Sequence, residues 1–402
     1  MAKRVEALVD SRILVWARRN SGLGAEEAAR RIDVKPERLA GWERDESRPT
    51  VAQLLKLAKA YNVSFAVFYL PRPPKDFQPM KDFRRLPGQP ARAESPELMF
   101  EIRRARNRRE IALELFRLME GGPPEFSAKA RLSDDPEKLA ARTRNLLGVS
   151  LEDQTRFRDD YAAFRHWRSA FEKAGVLVFQ ARNVDLAEMR GFSISDTPLP
   201  AVVVNIAERA VTARIFTMLH ELVHIMLGDG GVCDLSEARG SSRDREVEVF
   251  CNHAAGAILV PKEDLLSQDL VVRKGLRGDW KDEEILKLAR RYWASREVLL
   301  RRLLTFGCTT AKFYQRRAAE WRQKAERPGG SRAEKGRGPA RYRVEVSAAG
   351  DLFVRLVLDS YHHGDITSSD VSDYLNVKLQ HLDWIESRVS GYPAAWERSG
   401  EV

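Results

Sequence analysis

His220-Glu221-Leu222-Val223-His224 is the stretch of this 402-residue chain best suited to chemistry. Residues four apart share one face of a helix, so both imidazoles can reach one cation while Glu221 falls beside a water held there. Zinc suits such a pair, because it accepts neutral imidazoles and leaves a position open for water, whose pKa falls to about 7. Glu221 can then take the water's proton as it attacks a carbonyl. The pattern predicts peptide-bond hydrolysis, with His220 and His224 as metal ligands and Glu221 as the catalytic base. A third ligand is still needed. The longer Gly-and-His extension of the motif is missing, since Leu227 and Gly230 stand at those places. A carboxylate from a second helix is the natural substitute. Ser241 and Asp244 have the spacing of a capping box and Pro261 supplies a stop, which predicts a helix over about 242–260. Glu248, Asn252, Ala255 and Leu259 share one of its faces. Glu246 is offset by two residues and points away from that face, and spacing alone leaves both glutamates as candidates.

These residues need elements to hold them. Phe216, Leu219, Val223 and Leu227 form an apolar stripe that would pack the motif helix, and Gly228 is placed to end it. The run Ala254-Ala255-Gly256-Ala257 would let the second helix approach another closely. Gly175-Val176-Leu177-Val178-Phe179 and Ala201-Val202-Val203-Val204 read as buried strands. Pro96 to Met119 reads as a long amphipathic helix and 135–174 as further helices. The middle of the chain is therefore expected to be α+β, a small sheet beside helices.

Composition bounds the rest. Apolar residues make up 43% and charged residues 31%, so real cores can form. No apolar stretch approaches the roughly 18 residues of a membrane span, and residues 1–20 lack the apolar centre of a secretory signal. A soluble, cytoplasmic protein is expected. Cys233, Cys251 and Cys308 are too few and too scattered for a disulfide framework or a paired-cysteine zinc site. The net charge of +10 permits a nucleic-acid partner. Residues 322–343 hold eight bases and two acids among glycines and prolines, and read as a basic flexible linker. Pro71-Arg72-Pro73-Pro74 marks a second boundary.

Upstream of that boundary, Ile13 to Ala17, Ala25 to Ile32, Pro36 to Trp42 and a helix around Leu54 to Ala58 are joined by short turns, a helix-turn-helix layout whose second member enters a major groove. Residues 10–70 resemble the Cro/phage-repressor class, through Trp42-Glu43 and Arg48-Pro49-Thr50, although Asp45 stands where that class commonly has glycine. Lys35, Arg38, Arg44 and Arg48 are the candidate DNA contacts. The electrostatic footprint is modest: residues 1–70 carry 13 bases and nine acids, and Glu37 and Glu43 lie in or beside the recognition helix.

Arg190-Gly191-Phe192-Ser193, Val203-Val204-Asn205, Arg214 to His224 and Glu248 to Pro261 resemble the ImmA/IrrE family of bacterial zinc metallopeptidases. There, in the same order, come a strand pair, the metal helix and a Glu-x-x-Ala-Asn-x-Phe-Ala helix whose glutamate completes the site. The resemblance implies a gluzincin-like endopeptidase with Glu248 as third ligand and a repressor-like DNA-binding protein as substrate. Cys251 stands at the usual alanine and Ala254 at the usual phenylalanine, departures that touch packing and not ligands. Beyond the linker, a strand-like Tyr342 to Val346 and helices over 352–359, 368–375 and 379–389 are expected, with His362 and His363 in a solvated loop. The organisation read from the sequence is a helix-turn-helix domain over 1–71, a zincin-like domain over 72–320, the linker over 321–343 and a small helical domain over 344–402. The alternative is a DNA-binding regulator whose zinc domain is a sensor or an inactive scaffold. The intact Glu221 favours the enzyme.

Overall fold

Helices dominate the computed structural model, which describes residues 6–61, 63, 65–70, 72, 81–82, 95–119, 122–228, 231–233, 242–326 and 340–389. The chain divides into two units, Met1–Met80 with Pro90–Arg104 and Lys81–Gln89 with Ala105–Val402. No helix among the described residues is long and apolar enough to cross a membrane.

In the first unit, α1 (Ser11–Asn20), α2 (Ala25–Ile32), α3 (Pro36–Glu43), α4 (Val51–Tyr61) and a 3-10 helix at Phe65–Tyr69 enclose a core that includes Ile13, Leu14, Leu39, Trp42, Leu54 and Phe68. Local signals set the boundaries. Asp10 caps α1, and Asp33 closes α2 in the left-handed region at φ 59°. Pro36, whose fixed φ suits a first helical turn, starts α3. Thr50 and Gln53 exchange bonds across the start of α4, at 2.9 Å from the Thr50 amide and 3.3 Å from the Gln53 amide.

A short strand β1 (Lys81–Asp82) and the long helix α5 (Pro96–Leu118) follow, then α6 (Pro136–Leu147), α7 (Leu151–Thr155) and α8 (Asp160–Lys173). Next come β2 (Leu177–Ala181), β3 (Gly191–Ile194), β4 (Ala201–Asn205), α9 (Val211–Leu227), β5 (Gly231–Cys233) and α10 (Ser242–Leu259). Helices α11 (Lys262–Ser267), α12 (Asp269–Lys274), α13 (Asp282–Tyr292), α14 (Arg296–Thr305) and α15 (Ala311–Glu326) complete this stretch. The sheet runs β1-β5-β3-β4-β2, with β2 parallel to β4 and β3 antiparallel to both β4 and β5. Every residue of β2, β3 and β4 is buried, which explains the unbroken apolar run at 201–204: strands covered on both faces do not alternate. Val178, Val202 and Val204 pack in one core with Ile215, Met218, Leu219 and Leu222 of α9.

The opposite face is covered by the C-terminal segment, α16 (Arg341–Ala349), α17 (Asp351–His363), α18 (Ser368–Leu375), a 3-10 turn at Leu379–His381 and α19 (Leu382–Val389). Phe353 meets Phe179 edge-on at 6.2 Å between ring centroids. Arg168 donates to Ser347 O at 3.0 Å, Arg108 to Ala348 O at 3.1 Å, and the Leu352 amide to Glu172 at 3.1 Å. Gly350 joins α16 to α17 at φ 94°, and a Cβ there would stand 2.8 Å from Val178 O. Several expectations change. Tyr342 to Val346 is helical, because burial of Glu345 against Arg182 and stacking of Tyr342 on His381, 3.9 Å between centroids, outweigh the strand preference of two valines. His362 and His363 end α17 instead of lying in a loop, and His362 bonds Glu386 at 2.9 Å. The linker reading fails at both margins, where residues up to Glu326 and from Arg341 are helical; 327–339 lie outside the described residues. So do Pro71, Pro73, Pro74 and the cap residue Ser241.

Candidate metal centre

Helix α9 is buried on nearly all sides from Thr217 to Met226, as befits a helix inserted between a sheet and a second helix, and Gly228 ends it in the left-handed region at φ 69°. Turn spacing puts His220 and His224 on one side of it, with their Nε2 atoms 3.1 Å apart. From α10, Glu248 places Oε2 3.3 Å from His220 Nε2 and Oε1 3.4 Å from His224 Nε2. The three residues form a fully buried cluster. Ligand atoms at about 2.1 Å from a tetrahedral ion lie roughly 3.4 Å from one another, so this donor set has the separation such an ion requires. Nitrogen and carboxylate oxygen are also the donor types that zinc accepts. Burial would raise the Glu248 carboxyl, but the two imidazoles beside it hold it well below the usual carboxylate range. Glu246, the rival, is exposed and lines a surface groove with Ser242, Arg245, Val249 and His253 on the other side of α10.

Glu221 is fully buried next to these ligands, and neither carboxylate oxygen has a hydrogen-bond partner among the described residues. Burial pushes its pKa up, the two imidazoles and Ser193 pull it down, and Glu248 adds to the rise. A group that accepts and returns a proton near neutrality gains from such an upward shift. Its packing depends on a glycine. A Cβ at Gly191 of β3 would stand 2.5 Å from Thr217 Cγ2 and 3.1 Å from Glu221 Oε1, so only glycine lets β3 approach α9 this closely. Neighbouring Asn205 donates to Val184 O at 2.9 Å and Met189 O at 2.8 Å, which fixes the turn leading into Gly191. Sequence spacing alone assigned no role to Gly191 or Asn205. The available signal was a glycine opening an otherwise apolar strand, the mark of close backbone approach.

Two readings of α10 are refined. Ala254 and Ala255 are fully buried, but Gly256 makes room for Arg302, whose Cδ would lie 3.2 Å from a Cβ there. Arg302 grips Glu137 through two bonds of 2.6 and 2.7 Å, and Glu137 holds His253 at 3.1 Å. His253 is thus tied into a structural ion network. Cys251, the residue replacing alanine, is buried against His224, and burial raises its thiol pKa. Cys251 and Cys308 are free thiols.

In the helix-turn-helix unit, Lys35, Arg38, Arg44 and Arg48 are all exposed, while Leu39 and Trp42 on the inner side of α3 are buried. Lys35 precedes α3 as its N-cap, and the Arg38 guanidinium sits 5.8 Å from the centre of the Trp42 ring. Arg44 is paired with Glu46 at 2.7 Å. Glu43 does not face outward, because Arg18 holds it with bonds of 2.6 and 2.9 Å.

Residues 171–304 match the family model of the M78 peptidases described as the IrrE N-terminal-like domain, and residues 14–68 match the helix-turn-helix model. No curated protein matches the chain. A helix-turn-helix DNA-binding domain is therefore fused to an M78 peptidase-family domain, in that order.

Proposed function

We propose that this protein is a zinc-dependent endopeptidase coupled to a DNA-binding module, and that it cleaves a repressor-like regulator in a bacterial stress or mobile-element response. The observation that carries the reading is the buried, unpartnered Glu221 carboxylate beside His220, His224 and Glu248. A zinc held for structure alone is closed by a fourth protein ligand, whereas the cluster among the described residues stops at three, and the Glu221 carboxylate buried beside it costs stability unless it is used. Bound zinc would supply a Lewis acid and an acidified water. The chain supplies the remainder. His220, His224 and Glu248 would hold the ion, and the enclosing core of α9 and α10 would keep competing water away. Glu221 takes the attacking water's proton and returns it to the departing amine.

Lys35, Arg38, Arg44 and Arg48 are assigned to DNA contact, with α3 as the reading helix. The pairing of Glu43 with Arg18 supports this, since it withdraws an acid from the face that would meet phosphates. Glu221→Gln tests the enzyme reading, because the amide keeps the shape but accepts no proton. The variant should keep its metal and fold and lose cleavage of a purified helix-turn-helix repressor by orders of magnitude. Undiminished cleavage would remove Glu221 as the base.

A further inference from the structure

Strand β3 presents a second residue to the base. Side chains two apart on a strand share a face, so Ser193 points the way that a Cβ on Gly191 would, toward Thr217 and Glu221. The register agrees. Gly191 lies opposite Val204 and Ser193 opposite Val202, and both valines belong to the core formed with α9. Ser193 is 0% exposed, and its Oγ has no hydrogen-bond partner among the described residues. Both Glu221 oxygens share that condition. Two buried polar groups without partners thus face one another across the strand-helix contact, where a missing hydrogen bond costs about 1–3 kcal/mol per group. Thr217, one turn before Glu221, turns its methyl carbon toward β3.

We propose that Ser193 is the positioning residue for Glu221: its hydroxyl donates to the strand-facing carboxylate oxygen and leaves the other free to accept the proton. A carboxylate anchored through one oxygen keeps one rotamer, and a base held in one place loses less to misalignment than a freely rotating one. This inference rests on the peptidase reading, and two readouts separate their failures.

The first readout is structural and independent of activity. Crystals of the full-length wild type should show Ser193 Oγ within ordinary hydrogen-bond distance of Glu221, and Ser193→Ala should spread Glu221 over more than one conformer. An identical single conformer in both proteins would overturn the proposal. The second is kinetic, with zinc-loaded protein and a purified helix-turn-helix repressor as probe. Ser193→Ala should lower kcat about tenfold with KM unchanged, and should cost nothing further in a Glu221→Gln background, because residues acting as one unit are not additive. An equal loss in both backgrounds would show that Ser193 acts through packing and would sink the idea. A wild type that cleaves nothing would refute the peptidase reading, while the crystals would still decide the contact.

Discussion

Glu246 and Glu248 stand two residues apart on one helix and end in opposite surroundings, one in an open groove and one 1% exposed between two imidazoles. Metal analysis of purified variants should therefore separate them. Glu248→Ala should strip most of the zinc, as should His220→Ala and His224→Ala, whereas Glu246→Ala should retain about one ion per chain. Full occupancy in Glu248→Ala would remove it as a ligand. Gly191 invites a second substitution. An added methyl would meet Thr217 Cγ2 at 2.5 Å, and overpacking of that kind costs about 1–3 kcal/mol. Gly191→Ala should lower the thermal midpoint and depress cleavage, since Glu221 would have to move. A midpoint equal to wild type would show that β3 shifts without strain. The two histidines and Glu221 were legible from spacing because a helix fixes what four residues mean. The choice between the two glutamates rested on resemblance, since spacing shows which face a residue occupies and not which neighbour covers that face.

At the scale of the element, α3 combines a buried stripe, Leu39 and Trp42, with an exposed start carrying Lys35 and Arg38. Substituting both bases should leave the fold intact and weaken DNA binding. Each lost phosphate contact should flatten the dependence on salt by roughly one unit of slope. Titration of duplex at several salt concentrations checks this, and an unchanged slope would place the DNA elsewhere. The turn after α3 explains the unusual Asp45, which sits in the left-handed region at φ 60° where glycine is easiest and aspartate is tolerated. The four helices of this unit could be read from caps and apolar spacing. Helix α16 could not, because Val344 and Val346 favour a strand locally while Tyr342 and Glu345 find partners only in the folded chain.

Across the second unit, the sheet is enclosed from both sides and charges are buried at the seam. Glu172 is almost wholly buried beside Arg168, at 3.2 Å, and accepts from the Leu352 amide; Asp351 and Arg355 also face it. Burial pushes its pKa to about 7, ahead of the opposing pull of Arg168. A carboxyl whose folded value is raised binds protons more tightly when folded. Its stabilisation is therefore complete below about pH 4.5 and fades as pH rises through 7. Glu172→Gln should flatten the pH dependence of the unfolding midpoint over that window, and an unaltered slope would show that Glu172 stays charged throughout. The fit at Gly350 carries a different consequence. Because that turn presses against Val178 O, α16 and α17 bond to α8, and Phe353 packs on Phe179 of β2, the C-terminal helices are held by contact as well as by the peptide chain. The protein should accordingly behave as a split protein. Cut at a protease site engineered into 327–339, its two pieces should elute as one species and part only in denaturant.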